Sequence, residues 1–200
     1  MEDKVKIREM QRSDIPQVAE VLGKAYATNP MILAVYRGKQ MVARRIQITF
    51  EGMFRYGSGN SFIAELDGRV LGGFFIAKWP ACQATNPKVM LPALRALGGL
   101  GSLMRGMKMQ GGWKKHDPQR PHWHLKAIGV EPDFQGKGIG GQMMDVYCGI
   151  IDKNRLEAYH ETDRAENVPF YERFGFKVVG EEMIIGVKNW YMLRPAKLDK

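Results

Sequence analysis

Glycine occupies every second position of Gln135-Gly136-Lys137-Gly138-Ile139-Gly140. A β-strand pattern and Pro132 come before this run, and a helical pattern starts at Ile139. A strand that turns into a helix in this way presents unpaired backbone N–H groups at the positive end of the helix dipole, which is an anion site. Glycine lets the main chain come close to the ligand. The spacing excludes two nucleotide-binding motifs. The dinucleotide fingerprint needs two residues between its second and third glycines, and a P-loop needs Gly-Lys followed by Ser or Thr. Lys137 adds a cation, either for the ligand or for solvent. Upstream, His122 and His124 flank Trp123 on the same strand, so both imidazoles project to one face. Imidazoles there offer proton transfer near neutral pH.

The elements that hold these residues follow from periodicity. Val5–Glu9 alternates as a first strand. Ser13-Asp14 and Pro16 open a helix that carries Ile15, Val18, Ala19, Leu22, Ala25 and Tyr26, and Asn29-Pro30 stops it. A second helix runs from about Gln40 to Tyr56, with Val42, Ile46, Phe50 and Met53 on one face. Arg44, Arg45 and Arg55 lie on its other face, as solvated charge or as the rim of an acceptor site. Ser61–Leu66 and Arg69–Lys78 form a hairpin through Asp67-Gly68. The region 79–121 is rich in Pro and Gly and longer than most connections. Residues 91–109 within it have helical spacing. Three readings of it are open: a packed helical insertion, a lid over a binding site, or a surface-seeking amphipathic segment. After the glycine run, a helix buries Met143, Val146, Tyr147 and Ile150, and Leu156–Glu161 forms the next strand. Asn167 to Phe174 forms a short helix stopped by Gly175. Phe176–Ile185 and Trp190–Arg194 pair as a terminal hairpin across 186–189. Helices and strands alternate around a mixed sheet, so the class is α/β (α+β), in one domain over 1–200.

Composition narrows the function classes. With 44% hydrophobic and 26% charged residues the chain has an ordinary globular balance. No apolar run is long enough to cross a membrane, and the charged start, MEDKVKIREM, lacks an apolar leader core. Two cysteines, Cys82 and Cys148, are too few for a disulfide framework, and Cys148 falls on an apolar helical face. A cytoplasmic protein is expected, with no stable membrane insertion and no metal centre. The formal charge of +9 favours acidic partners or a phosphorylated cofactor. Basic residues are spread along the chain rather than gathered in a stripe with aromatics, so nucleic acid is not an expected partner.

Two motifs together resemble a family. Gln135–Gly140 fits the (Arg/Gln)-x-x-Gly-x-(Gly/Ala) loop of the GCN5-related N-acetyltransferases (GNAT), after a strand that ends Ile128-Gly129-Val130-Glu131-Pro132. Asn167-Val168-Pro169-Phe170-Tyr171-Glu172-Arg173-Phe174-Gly175-Phe176 resembles that family's later motif at the right interval. The resemblance covers the element order of the whole chain except 79–121. It implies a mixed sheet of about seven strands flanked by helices, and acyl transfer from acetyl-coenzyme A to an amine. It assigns the cofactor to Ile128, Gly129, Val130, the loop Gln135, Gly136, Lys137, Gly138, Ile139 and Gly140, and to Asn167, Phe170 and Tyr171. It also implies that the strand carrying Ile128 and Val130 parts from Leu156–Glu161, so that the pantetheine arm pairs with main chain.

The implied chemistry needs a base for the amine, a donor for the oxyanion and an acid for the thiolate. Tyr171, a phenol of pKa about 10, matches the family's acid, and the Val130 N–H matches the oxyanion donor. Asn167 serves the pantetheine arm, a helix cap, or both. The base is open between His124 and Glu161, or neither. The His-x-His resembles the arylalkylamine branch with its register shifted by two residues. His116 and His160 have no motif support. The strand 156–162 and the helix 167–173 are similar to those of puromycin-acetyltransferase-like, small-molecule enzymes. The expected acceptor is therefore a small primary amine, bound by a monomer or homodimer. The alternatives are a lysine or N-terminus of a protein, or a non-catalytic coenzyme A sensor.

Overall fold

The computed structural model describes residues 4–37, 41–84 and 86–197. Seven strands form one mixed sheet in the order β1-β2-β3-β4-β5-β7-β6. They are β1 (Lys6–Glu9), β2 (Asn60–Leu66), β3 (Arg69–Lys78), β4 (His122–Val130), β5 (Glu157–Thr162), β6 (Lys177–Ile184) and β7 (Val187–Arg194). Among the described residues the α-helices are α1 (Ile15–Tyr26), α2 (Pro30–Tyr36), α3 (Val42–Tyr56), α4 (Pro87–Leu97), α5 (Leu100–His116), α6 (Ile139–Asn154) and α7 (Asn167–Glu172). The α/β class and the seven-stranded sheet expected from sequence are both present.

Strand alternation sorts the core into two layers. Ile63, Phe75 and Ala77 face α1, α2 and α3, meeting Val18, Leu22, Val35, Ile46, Phe50 and Phe54. Phe62, Phe74, Ile76, Trp123 and Leu125 face the other way, onto Met143, Tyr147 and Ile151 of α6 and Tyr171 of α7. Burying one such side chain stabilises by about 1.5–3 kcal/mol, and both layers are continuous.

All pairs are antiparallel except β4–β5. That parallel pair is short. His122, Trp123 and His124 face Glu157, Ala158 and Tyr159, and pairing stops there. On its other edge β4 stays paired with β3 from Trp123 to Val130, with a bulge at Lys126 where Ala127 and Leu125 oppose the consecutive Phe75 and Ile76. The sheet therefore opens between the second half of β4 and the end of β5.

Several local expectations change. Asn29-Pro30 ends α1 but also starts α2: Asn29 Oδ1 accepts the Ile32 N–H at 3.0 Å, and Pro30 takes the first helical position. Asp14 does not cap α1 with its side chain. Its carboxylate instead accepts the Gln11 N–H at 2.7 Å and pairs with Arg8. Gln40, the expected start of α3, lies outside the described residues, and the helix begins at Val42. Residues 79–121 form two helices, broken where Gly98 and Gly99 adopt positive φ. The last hairpin turns on Ile185-Gly186, both at positive φ, so β7 starts at Val187 rather than Trp190. Isoleucine rarely adopts that conformation, so its presence hid the tight turn.

Candidate active site

The opening between β4 and β5 is a cleft of about 950 Å³. At one end the chain leaves β4, makes a short turn at Pro132–Phe134 and enters α6. Gly136 (φ 76°) and Gly138 (φ 82°) are left-handed, and a Cβ at either would meet nothing within 4 Å. Glycine is needed there for backbone conformation, not for space. The turn aims the free N–H groups of the first α6 turn into the cleft, as an anion site requires. Gln135, Gly136, Gly138, Ile139 and Gly140 line it. Lys137 does not; its Nζ sits 4.5 Å above the Phe134 ring. Arg69 lies against the same ring at 5.1 Å, so two cations flank this end of the cleft.

The main chain of β4 forms one wall, through Ile128, Gly129 and Val130. Tyr26 completes it: its hydroxyl donates to the Ile128 carbonyl at 3.2 Å and lies 3.3 Å from the Ile128 N–H. The Glu131 N–H donates to Leu71 of β3 at 2.8 Å. Strand alternation then turns the Val130 N–H to the opposite edge, the one β5 has left. The Val130 carbonyl is held by Gln135 Nε2 at 3.0 Å.

The facing wall comes from β5 and α7. Tyr171 is buried and lines the cleft. Burial, reinforced by neighbouring Tyr26 and carboxylates, raises its phenol well above the ordinary value, so it stays protonated. Phe170 lines the same wall, and a Cβ on Gly140 would lie 3.6 Å from its ring. Asn167 also lines the cleft but does not cap α7. It occupies the first helical position, and its Nδ2 donates to Thr162 Oγ1 at 3.2 Å.

Glu161 and His124 sit differently. Glu161 lines the cleft, while His124 lies behind it at 2% exposure. His124 Nε2 is 3.0 Å from Glu161 Oε2, and its Nδ1 is 3.1 Å from Asp117 Oδ2. Burial opposes charge on this ring, but Glu161 and Asp117 outweigh it and raise the imidazole to about 10. Burial likewise opposes charge on Glu161, and His124 reverses the effect and holds the carboxyl below its usual value. His160 points to the other face, packed 3.9 Å from the Tyr171 ring, and burial lowers it to about 3.

Sequence reading missed several residues of the cleft. Asp163 accepts from Asn29 Nδ2 and the Met31 N–H, both at 2.6 Å, and so ties α2 to the cleft. Trp113 of α5 lines the cleft and donates to Asn189 Oδ1 at 3.0 Å. Neither residue sits in a motif. Tyr26 was read only as an apolar helix position. The expectation of no metal centre also meets a cluster that no spacing rule flagged: ligand-type atoms of Cys82, Asp117, His122 and His124 lie within 4.8 Å of one another.

Residues 99–178 match the family model described as acetyltransferase (GNAT) domain. A mycothiol acetyltransferase from Propionibacterium freudenreichii subsp. shermanii is 36% identical over 69 residues, 32% of this chain and 22% of that protein. The chain thus spans well under two thirds of that relative's length. Among solved structures, histone acetyltransferase HPA2 and related acetyltransferase from Corynebacterium glutamicum superposes with TM-score 0.71 at 17% identity, covering 98% of each chain. A GNAT family acetyltransferase from Brucella melitensis in complex with acetyl-CoA gives 0.56 at 16% identity, covering 99% of this chain and 92% of that one. No described helix is long and apolar enough to cross a membrane. The glycine turn and the Asn167–Phe176 motif form the two sides of one cleft in a sheet of this order, and both lie inside residues 99–178, the part of the chain that matches the acetyltransferase (GNAT) domain model.

Proposed function

We propose that this protein transfers an acetyl group from acetyl-CoA to a primary amine of a small molecule, by direct attack within a ternary complex. The observation that carries this reading is the parting of β4 from β5 after His124, with the glycine turn at one end and Glu161 and Tyr171 on the facing wall. Acetyl-CoA supplies the activated thioester. The residues present suit it: the α6 N–H groups and the Gly136–Gly138 turn receive a pyrophosphate, and the β4 edge that β5 has left, where the Val130 N–H faces the cleft beside the Tyr26 hydroxyl on Ile128, receives an amide-bearing arm.

In this reading Glu161 accepts the proton that the attacking amine sheds, directly or through water. It is a carboxylate facing the cleft, whereas both ring nitrogens of His124 are engaged behind it. The Val130 N–H donates to the developing oxyanion. Tyr171, a protonated hydroxyl on the facing wall, gives its proton to the sulfur as the thioester carbon–sulfur bond breaks.

The small acceptor is favoured by the insertion. Its helix α5 packs on α2 and β6 and sets Trp113 into the wall, making a walled cavity where an open groove would suit a polypeptide. Glu161 and Asp163 line the same cavity and suit a cationic amine. A thiol-release assay with di- and polyamines, arylalkylamines, amino sugars and lysine peptides tests this. Turnover of small amines above peptides is expected. Turnover of peptides alone would replace the acceptor, and absence of acetyl-CoA binding by calorimetry would overturn the reading altogether.

A further inference from the structure

The cluster behind Glu161 is built like a closed metal site. Cys82 lies in the turn that opens the 79–121 insertion, Asp117 follows α5 at its end, and His122 and His124 stand on β4. All four are buried, at 8, 7, 0 and 2% exposure. Cys82 Sγ is 3.6 Å from His122 Nε2; Asp117 reaches His122 Nε2 at 3.0 Å through Oδ1 and His124 Nδ1 at 3.1 Å through Oδ2. Zinc bonds of about 2.0–2.3 Å place tetrahedral ligands about 3.3–3.8 Å apart, so a cation draws these atoms together with small side-chain movements.

Two further observations point to a cation. Asp117 Oδ1 is buried without a hydrogen bond, although His122 Nε2 lies 3.0 Å away, close but poorly aligned for one. Both imidazoles also have their outer nitrogen engaged. His122 Nδ1 lies 2.7 Å from the Arg120 carbonyl, which only accepts, so this nitrogen carries a proton and Nε2 is the ring atom turned inward. His124 Nε2 meets the Glu161 carboxylate at 3.0 Å, which leaves Nδ1 turned inward. A histidine held by a carbonyl or carboxylate at its far nitrogen is the arrangement that orients metal ligands.

We propose that Cys82, Asp117, His122 and His124 bind one zinc ion as a structural site that fastens both ends of the 79–121 insertion to β4. One thiolate, two imidazoles and one carboxylate suit zinc rather than the oxygen-seeking magnesium or calcium. Binding forms a sulfur–zinc bond and one nitrogen–zinc bond from each imidazole, and releases to solvent the Cys82 thiol proton and any proton that the metal-free imidazoles carry on the ligating nitrogens. With all four positions supplied by the protein, zinc does not touch the acceptor, and the site reaches the cleft only through His124 and Glu161. The inference stands whether or not the acceptor is a small amine.

The test uses the full chain, stripped with chelator and titrated with Zn²⁺ or Co²⁺ alone. One equivalent of zinc should be retained through dialysis and should raise Tm. Cobalt should give strong visible d–d bands and a near-ultraviolet thiolate charge-transfer band. Cys82→Ser should lose the charge-transfer band and weaken binding by at least about tenfold. His122→Ala should abolish the strong d–d bands. If a variant fails to fold, the spectrum and Tm shift of the unaltered chain still decide. Wild type that takes up no metal, or binds it with no thiolate band, overturns the proposal and leaves the four groups as a hydrogen-bonded ion network.

Discussion

The two halves of β4 do opposite things with the same strand. From His122 to His124 both edges are paired, and the two imidazoles, turned to one face, meet groups brought from far along the chain. From Lys126 to Val130 one edge has lost its neighbouring strand, and its main chain lines the cleft with Ile128 held by Tyr26. The first half concentrates buried ionisable side chains, and the second half turns main chain towards the cleft. Glu161 stands where they meet, its carboxylate on the cleft and one oxygen on His124. A site made of main chain is set by turn and strand geometry, whereas a site made of side chains depends on which segments fold onto one another.

The largest effect should come at that meeting point. Glu161→Gln keeps the shape and a hydrogen-bonding group near His124 but removes the carboxylate proposed as base, so kcat/KM for the amine should fall about 10²–10⁴-fold while acetyl-CoA affinity holds. A fall of less than about threefold would move the base elsewhere. Tyr171→Phe should lower kcat by about 10²-fold with the acetyl-CoA Kd within about twofold of wild type. Unchanged turnover in rapid-quench experiments would remove Tyr171 from the proton path.

Gly138→Val probes the main-chain half alone. A branched side chain at φ 82° costs roughly 1–2 kcal/mol, so calorimetry should show acetyl-CoA binding weakened by about tenfold or more. Wild-type affinity in this variant would mean that the α6 turn does not hold the phosphates. Tyr26→Phe deletes the hydroxyl that satisfies Ile128 where β5 has parted. Denaturant unfolding should register a loss of about 1–2 kcal/mol, partly recovered with acetyl-CoA present.

The smallest effect is far from both halves, and serves as a control for general destabilisation. The Arg8 guanidinium, opposed in part by burial, holds the Asp14 carboxyl below its usual value. A depressed folded-state pKa means stability that is present above the ordinary carboxylate pKa and lost as pH falls through the folded one. Arg8→Met should therefore cost about 0.5–1 kcal/mol at pH 7, and the gap from wild type should close below about pH 4. A gap that persists at low pH would assign the loss to packing.

The amino-acid sequence alone determined the α/β class, the hairpin at Asp67-Gly68, the helix after the glycine run, and the residues of both motifs. These rest on local rules. Glycine at alternate positions decides a turn, apolar period decides a helix, and both act within a few residues. Side-chain roles were less legible. Lys137 was a cation for ligand or solvent in sequence and sits over Phe134 in the fold; Asn167 was a partner for the pantetheine arm, a cap, or both, and in the fold it lines the cleft and bonds Thr162 without capping. His124 and Glu161 were rival bases in sequence, and the fold makes them one buried pair with only Glu161 on the cleft. Trp113, Asp163, Cys82 and Asp117 carried no local signal, because their surroundings are assembled by contacts between distant segments. Periodicity says which face of an element is buried. Which charged and ligating groups share that burial is decided only when the 79–121 insertion, β4 and β5 close on one another.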